Sequence, residues 1–265
     1  MAAPWFEDEI ASALAQKLPG VAVEVVAEID STSSELMRRA RDGSRAPVLL
    51  VAERQTAGRG RLGRTWQSAQ DAHQPASLTF SLGLPLSPRD WSGLSLAVGV
   101  SVAESLDPSS SAGLALKWPN DLWVGERKLG GILIETALLQ VDATERYLVI
   151  GIGINIGPRE AAGLSTAPAW VQQWRPQVTP GEILREIAVP LVENVQLFNA
   201  QGFLPFAPRF AARDVLRGRE VRLSDGTEGR CDGVGWGGEL LVHTASGVKT
   251  ITSAEVSVRP APTTR

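Results

Sequence analysis

The sequence predicts an α+β fold in which helices pack on a β-sheet in a large N-terminal region, followed by a small β-barrel of SH3-like size. Apolar runs with helical and with strand-like spacing fill the chain up to residue 213. Beyond it, short β-rich runs are separated by the turn sequences Asp225-Gly226, Gly237-Gly238 and Ser246-Gly247. A length of 265 residues and a hydrophobic content of 43% allow one sizeable core and a small satellite. We therefore expect two domains, at residues 1–213 and 214–265.

The individual elements follow from apolar spacing and from the turn residues between them. Helices are expected at residues 6–18, 35–41, 91–106, 180–199 and 203–214. Strands are expected at residues 21–29, 48–52 and 77–83, on both sides of 119–121, after residue 128, and at 149–157. Five further short strands are expected at residues 220–224, 229–231, 239–243, 248–252 and 256–259.

The second helix is preceded by the polar segment D-S-T-S-S-E at residues 30–35. Thr32 and Glu35 have the spacing of a capping box, which explains the segment structurally. Hydroxyl and free N–H groups at a helix N-terminus also bind polar or anionic ligands. The segment is therefore a candidate binding site as well as a cap.

Composition excludes several classes of protein. A net charge of −3 and a pI near 5.6 argue against general adhesion to nucleic acid or to anionic membranes. Cys231 is the only cysteine, which excludes an intrachain disulfide, and the two histidines, His73 and His243, form no Cys/His grouping for a metal. The N-terminus carries acid where a signal peptide carries base, and no apolar run approaches membrane-spanning length. We therefore expect a cytoplasmic protein without a permanent metal site.

A basic loop at residues 53–66 concentrates glycine and arginine in the sequence E-R-Q-T-A-G-R-G-R-L-G-R-T-W. The glycines let backbone N–H groups approach a ligand closely, and the interleaved arginines add fixed positive charge. A solvated loop or a nucleic-acid patch would have a similar composition. An apolar run leading into the loop and the flat face of Trp66 closing it favour a ligand site instead. Repulsion between the arginines predicts that the loop stays mobile until an anion orders it.

Lysine is scarce, since only four of the 26 basic residues are lysine. Two of them, Lys117 and Lys128, enclose the segment K-W-P-N-D-L-W-V-G-E-R-K. A hairpin turning at Pro119-Asn120-Asp121 needs no ligand to explain it. The paired lysines nevertheless indicate positions where a compact ammonium group is required. Gly130-Gly131, which follow Lys128 after Leu129, permit close approach of another backbone segment.

The apolar run V-I-G-I-G-I-N-I-G at residues 149–157 has glycines at alternate positions. This spacing leaves one face of the predicted strand bare, which suits a flat substrate lying against the sheet. A nucleotide fingerprint of the G-x-G type is discounted, because no third glycine or following helix supports it. Asn155, one of four asparagines in the chain, lies in this run.

Three segments occur together in a fixed order: E-R-Q-T-A-G-R-G-R-L-G-R-T-W, K-W-P-N-D-L and K-L-G-G-I-L. As a set they resemble biotin protein ligases, with residues 28–157 similar to the catalytic domain and residues 214–265 similar to the small C-terminal barrel. The resemblance implies a mixed sheet packed with helices, of the class II synthetase-like kind. It also implies a two-step reaction, in which biotin and Mg-ATP give biotinyl-adenylate and pyrophosphate, and a carrier lysine then takes the biotin.

The resemblance implies roles for individual residues. Lys128 is expected to be the catalytic cation, assisted by Arg61 and Lys117. Biotin is expected to be bound by Ser31, Thr32, Ser33, Gln55, Gly58, Arg59, Gly60, Arg61, Lys128 and Gly131. ATP is expected to be bound by Trp66, Lys117, Asn120, Asp121, Lys128 and Asn155. Magnesium is expected to arrive with ATP, near Asp121, and the carrier is expected to be the biotin carboxyl carrier domain of a biotin-dependent carboxylase.

Three positions depart from the residues usual in that family. Ser33 stands where asparagine is common, which can alter one hydrogen bond to biotin. Leu62 stands where a further basic residue is frequent, which removes one positive charge. Gly130 stands where alanine is usual.

Two alternative functions are weighed against this one. Enzymes of a related fold transfer lipoate or octanoate to a carrier lysine, but their corresponding loop is expected to lack the alternating glycines and arginines. A biotin-sensing repressor carries an N-terminal winged helix, whereas only 30 residues, which are not basic, precede Ser31. We therefore expect an enzyme, monomeric or homodimeric, that binds neither nucleic acid nor membranes.

Overall fold

The computed structural model of the chain describes residues 5–68, 76–138, 145–160, 164, 166–252 and 258–260. The helices are α1 (Glu7–Ala15), α2 (Thr32–Arg41), α3 (Leu94–Leu106), α4 (Pro180–Gln201) and α5 (Ala207–Ala211). A large sheet contains β1 (Ala22–Ile29), β2 (Val48–Gln55), β3 (Ser77–Leu86), β4 (Leu114–Lys117), β5 (Asp121–Val124), β6 (Arg127–Leu138) and β7 (Arg146–Asn155). A small sheet contains β8 (Glu220–Leu223), β9 (Glu228–Val234), β10 (Leu240–Thr244), β11 (Gly247–Ile251) and β12 (Val258–Pro260). No helix in these ranges is long and apolar enough to cross a membrane.

The large sheet is mixed, with strand order β1-β2-β3-β7-β6-β5-β4. β1 and β2 run parallel, because α2 carries the chain back between them, and the other neighbouring pairs are antiparallel. β4 and β5 form the predicted hairpin, with Lys117 opposite Asp121. The α+β prediction with a mixed sheet is therefore confirmed.

The two faces of the large sheet are covered unequally. α1, α3 and α4 join the isoleucines of β7 in a large apolar core on one face. α2 packs on the other face, in a smaller core that includes Tyr147 and Val149. Because side chains alternate along a strand, the next two positions of β7 on the α2 face are Gly151 and Gly153. β7 therefore continues past Val149 as a glycine floor, without side chains of its own on this face.

α2 starts earlier than predicted, and its cap is a different residue. The hydroxyl of Ser31 accepts a hydrogen bond from the backbone N–H of Ser34 at 3.3 Å, so Ser31 is the N-cap. The predicted capping box of Thr32 and Glu35 is therefore wrong. Glu35 instead forms an ion pair with Arg38, one turn along the helix. The change leaves the hydroxyl of Thr32 free to take other partners.

The predicted continuous helix at residues 203–214 is also wrong. A 3₁₀ turn, Leu204–Phe206, is followed by the short helix α5. Pro208 lacks the N–H group that a continuous helix from residue 203 would use, which explains the interruption. The other predicted helices and strands are present with shifted ends, and the strand expected at 256–259 lies partly outside the described residues.

The small sheet is antiparallel, in the order β11-β10-β9-β8-β12, and it is tied to the edge strand β4. The N–H of Leu116 donates to the carbonyl of Arg213 at 2.8 Å, and the N–H of Val215 donates to the carbonyl of Leu116 at 3.1 Å. The fully buried indole of Trp118 donates from Nε1 to the carbonyl of Gly238 at 3.0 Å. The hairpin that carries Lys117 is therefore braced by the C-terminal part of the chain.

Asp214 lies at this junction in an unfavourable electrostatic setting. Its Oδ1 accepts a hydrogen bond from the N–H of Leu216 at 2.9 Å, while Oδ2 is buried with no hydrogen-bond partner among the described residues. Burial raises the pKa of Asp214 to about 6, because loss of solvent penalises the charged carboxylate. The folded chain therefore keeps a proton that the unfolded chain releases at lower pH.

We expect Asp214→Asn to remove a component of the pH dependence of stability. The folded-state pKa lies above the ordinary value of 3.8, so the stabilising contribution is fully present below that pH. This contribution of Asp214 to the free energy of unfolding is lost as the pH rises through 6, and the loss is about 3 kcal/mol in total. Thermal unfolding between about pH 4 and pH 7.5 measures this difference. Asp42→Asn, at an exposed aspartate, is the control, and an unchanged pH dependence in Asp214→Asn would contradict the assignment.

Candidate active site

A cavity of about 770 Å³ opens over the glycine floor of the large sheet. Its walls come from the start of α2, the basic loop, the β4–β5 hairpin and the segments after β7. The predicted site residues on its wall are Ser31, Thr32, Ser33, Gln55, Arg59, Gly60, Arg61, Trp66, Lys117, Asn120, Asp121, Lys128, Gly131 and Asn155. Segments far apart in the sequence therefore meet around one space.

Gly58 is the predicted site residue that does not line this cavity. It lies in a smaller depression formed by the basic loop itself. Its carbonyl accepts a hydrogen bond from the N–H of Trp66 at 2.8 Å, and a Cβ at Gly58 would collide with the Trp66 carbonyl oxygen. Glycine is required here because the two ends of the loop pack backbone against backbone.

One end of the cavity is a cluster of buried hydroxyl groups. The N–H and the hydroxyl of Thr32 both donate to Oε1 of Gln55, at 2.8 and 3.2 Å. The Thr32 hydroxyl also lies 2.7 Å from Oγ of Ser81, which lies 3.0 Å from Oγ of Ser33. These groups are uncharged, and their mutual hydrogen bonds orient them. This end of the cavity suits an uncharged polar part of a ligand.

The basic loop is folded, and Arg59 has a protein partner. The N–H of Gly60 donates to the carbonyl of Arg64 at 2.7 Å, which closes a turn with Leu62 exposed at its tip. Nη2 of Arg59 lies 2.8 Å from Oε1 of Glu135 on β6. The expectation that every arginine of the loop waits for an anion therefore does not hold for Arg59.

Arg61 points from the loop into the cavity. Its Nη1 donates to Oδ1 of Asn120 at 3.4 Å, which places the guanidinium across from the β4–β5 hairpin. Burial lowers the pKa of Arg61, and the negative charge of Asp121 only partly opposes this effect. Arg61 therefore holds a positive charge in a desolvated position, where an anionic ligand would interact strongly with it.

The two lysines occupy different environments. Nζ of Lys128 lies 2.6 Å from Oδ1 of Asp121, and a Cβ at Gly131 would lie only 3.4 Å from the same nitrogen. Lys117 is 8% exposed, and its Nζ lies 5.2 Å from the ring centroid of Trp123. Lys128 is thus the more accessible of the two ammonium groups. Asp121 holds it at one point, and the missing side chain at Gly131 leaves room for it.

The glycine floor is covered, in contrast to the expected bare face for a flat substrate. Lys128 lies over Gly131, Ser33 lies over Gly151, and the ring of Trp66 lies over Gly153. A Cβ at Gly151 or Gly153 would collide with the side chain above it. The expectation is therefore corrected, because the glycines make room for protein side chains and a ligand would contact those side chains.

Arg159, just after β7, is a cavity residue that the sequence analysis did not single out. Its guanidinium lies over the ring of Trp66, 5.5 Å from the centroid. An arginine outside any motif gives no local signal, since its position depends on the path of the chain after β7. The only hint in the sequence is its place four residues after Asn155.

The cavity concentrates positive charge. Among the described residues of its wall, six are cationic, namely Arg59, Arg61, Arg64, Lys117, Lys128 and Arg159, and two are acidic, namely Asp121 and Glu126. The described part of the cavity wall therefore carries an excess of four positive charges, six minus two, in a chain whose net charge is −3. Such focusing of one sign of charge attracts and binds polyanions.

Comparison with known sequences identifies relatives of the chain. A sequence profile of the biotin/lipoate A/B protein ligase family matches residues 25–155, which include every predicted site residue. The bifunctional ligase/repressor BirA of Escherichia coli K12 is 32% identical over 254 residues, spanning 92% of this chain and 76% of that protein. The biotin--[acetyl-CoA-carboxylase] ligase of Mycobacterium tuberculosis H37Rv is 38% identical over 212 residues, spanning 76% and 74%.

The solved structures that are similar to this chain include a biotin protein ligase. A biotin protein ligase from Aquifex aeolicus, in complex with biotin and ATP, is similar with a TM-score of 0.75 and 31% sequence identity. The similarity covers 90% of this chain and 99% of that one. A biotin acetyl coenzyme A carboxylase synthetase from Helicobacter pylori, with bound biotinylated ATP, has a similar fold with a TM-score of 0.56 at 21% identity.

Proposed function

The chain belongs to the biotin/lipoate A/B protein ligase family, and on that premise we propose that it is an ATP-dependent biotin protein ligase. In the first step a carboxylate oxygen of biotin attacks the α-phosphorus of ATP, which forms biotinyl-5′-AMP and releases pyrophosphate. In the second step the amine of a carrier lysine attacks the carbonyl carbon of this anhydride. An amide forms, AMP leaves, and the amine loses a proton.

The excess of positive charge in the cavity is the observation that carries this proposal. Both substrates of the first step are anions, and negative charge builds on the α-phosphoryl oxygens as the bond forms. Cations fixed beforehand in a partly desolvated cavity stabilise that charge without reorganising during the reaction. They also bring two mutually repelling anions to contact distance, which supplies much of the rate gain.

Within the proposal the cavity has a biotin end and a nucleotide end. The biotin rings lie at the end of the cavity that contains the hydroxyl cluster, bound by Ser31, Thr32, Ser33 and Gln55, beneath Arg59, Gly60 and Arg61 of the basic loop. The nucleotide lies toward Trp66, Lys117, Asn120, Asp121 and the end of β7 at Asn155. Lys128 stands where the biotin carboxylate meets the α-phosphate, and Gly131 leaves room for its ammonium group.

Magnesium enters the proposal bound to ATP. Among the described residues no three His, Cys, Asp or Glu side chains group together as a metal site. Asp121 and Glu126, the carboxylates of the cavity, are each paired with a cation, Lys128 and Arg219 respectively. Because Mg²⁺ is commonly held by one or two carboxylates together with substrate phosphates, Asp121 is the proposed protein ligand. The ion would neutralise phosphate charge.

The proposal extends to organisation and partners. Residues 1–213 would form the catalytic domain, and residues 214–265 the SH3-like barrel of the family, in keeping with the antiparallel sheet β8 to β12. The acceptor would be the biotin carboxyl carrier domain of a biotin-dependent carboxylase. The enzyme would act in the cytoplasm as a monomer or homodimer, without a nucleic-acid or membrane partner.

One assay tests the proposed function. The purified protein is mixed with a carrier domain, ATP and Mg²⁺, and with biotin, lipoate or octanoate in parallel reactions. We expect the carrier to gain the mass of a biotinyl group only when biotin and ATP are both present. Modification by lipoate or octanoate in preference to biotin would overturn the assignment.

We also expect ligands to protect the basic loop from proteolysis. The anionic phosphate of biotinyl-5′-AMP would bind the Arg61 guanidinium in the cavity and hold the loop against the β4–β5 hairpin, and Arg59 is held by Glu135. Limited proteolysis with and without biotin plus ATP measures the cleavage rate after the loop arginines. Equal cleavage under both conditions would contradict this expectation, and cleavage after Arg89, outside the loop, serves as the internal control.

A further inference from the structure

Arg159 has an unusual set of partners for a half-buried cation. Nη1 donates to Oδ1 of Asn155 at 2.8 Å, and Nη2 donates to the carbonyl of Gln67. The third contact is the face of the Trp66 ring. All three groups are uncharged, and within the described part of the chain no carboxylate pairs with Arg159. A desolvated cation of this kind is costly without a counter-ion, and burial accordingly lowers the pKa of Arg159.

Asn155 is committed to the protein itself. Its amide nitrogen donates to the carbonyls of Lys128, at 3.2 Å, and Ala169, at 2.9 Å. Its amide oxygen accepts from Arg159, and the side chain is 3% exposed. Both N–H groups and one oxygen lone pair are therefore used internally. Asn155 can orient Arg159, but its amide has no N–H left to donate to a nucleotide.

β7 gives the position of Arg159 along the cavity. Ser33, at the hydroxyl end, lies over Gly151, and Trp66 lies over Gly153. Asn155, which holds Arg159, follows on the same face of the strand. The four residues of strand from Gly151 to Asn155 span about 13 Å. Because Asn155 hydrogen-bonds to Arg159, Arg159 lies at the opposite end of the cavity from the hydroxyl cluster.

We propose that Arg159 binds the phosphate chain of the nucleotide and that Asn155 acts as its positioning residue. The inference rests on the proposed function, because it takes ATP as the substrate. A guanidinium has five N–H donors, of which two are used by Asn155 and Gln67, so three remain for phosphate oxygens. Contact with Trp66 and the two hydrogen bonds fix the guanidinium before the ligand arrives, which reduces the entropy cost of binding.

Binding of nucleotide fragments to variants tests this role. Arg159→Met keeps an apolar side chain against Trp66 but removes the charge, whereas Arg159→Lys keeps the charge and loses the planar fork. We expect Arg159→Met to weaken ATP binding by about 10- to 100-fold, to weaken inhibition by pyrophosphate in parallel, and to leave adenosine binding and the KM for biotin unchanged. Arg159→Lys should recover part of the loss. Arg185→Met, at an exposed arginine of α4, is the matched control.

The outcomes separate this inference from the proposed function. If the unmodified protein adenylates biotin and Arg159→Met binds ATP and pyrophosphate normally, the phosphate role is overturned and the proposed function stands. Equal weakening of ATP and adenosine would mean that Arg159 acts only through Trp66, which also overturns it. If the unmodified protein forms no biotinyl-5′-AMP, the proposed function fails and this inference fails with it.

Discussion

Replacing Lys128 with arginine should abolish adenylate formation almost as completely as replacing it with alanine, by at least about a hundredfold in pyrophosphate exchange. The ammonium group of Lys128 is held at one point, 2.6 Å from Asp121 and directly above Gly131. At that point it can shield the biotin carboxylate from the phosphate and stabilise the charge that builds during attack. A longer, planar guanidinium cannot occupy the same position.

A purely structural lysine would behave differently from this expectation. It would accept arginine with a change in unfolding free energy of about 0.5 kcal/mol or less and normal turnover. Pyrophosphate exchange, carrier biotinylation and thermal unfolding should therefore be measured together for both variants. Lys249→Arg, in the small sheet and outside the cavity, is the matched control. Near-normal pyrophosphate exchange by a folded Lys128→Arg variant would contradict Lys128 as the catalytic cation and favour Lys117 in that role.

Replacing Arg61 with alanine should cause biotinyl-5′-AMP to leak into solution. Arg61 contributes a desolvated positive charge from the loop, facing Asn120 across the cavity. A charge-assisted hydrogen bond of this kind contributes about 1.5–3 kcal/mol, so release of the adenylate should accelerate roughly 10- to 100-fold. Formation of the adenylate should fall less, because Lys128 remains in place.

Rapid separation of protein from free nucleotide, followed by quantification of biotinyl-5′-AMP in each fraction, measures this leak. Arg64→Ala is the matched control, since Arg64 belongs to the same loop but is exposed. Its effect on retention should be smaller than that of Arg61→Ala. If the two variants retain the adenylate equally well, burial of the Arg61 charge is not what holds the intermediate.

Features with a local physical cause could be predicted from the sequence. The turn at Pro119-Asn120-Asp121 is specified by its own residues, so the β4–β5 hairpin was placed correctly. The local pattern predicts Thr32 as the cap of α2, whereas the cap is Ser31, because four consecutive hydroxyl residues, 31–34, satisfy the same local rule. The difference between Ser31 and Thr32 comes from a tertiary contact, because Thr32 hydrogen-bonds to Gln55 and no local rule indicates that contact.

Features that depend on distant contacts could not be predicted. Glu135 is 76 residues from Arg59, and no pattern in either segment indicates their ion pair. The cover over the glycines of β7 likewise comes from two remote segments, represented by Ser33 and Trp66. The spacing of the glycines showed that something approaches the sheet closely, whereas the identity of the approaching groups follows only from the fold.

The hydrogen bond between Trp118 and Gly238 has a consequence for synthesis of the chain. The two residues are 120 positions apart, and Leu116 meets Arg213 and Val215 at the same edge of the sheet. A nascent chain on the ribosome that ends before Gly238 lacks the acceptor that holds the Trp118 indole. Since domains fold as their sequence emerges, the hairpin bearing Lys117 and Asp121 gains its full support only after Gly238 has been synthesised. The active site is therefore completed late, because one of its supports is made 120 residues after Trp118.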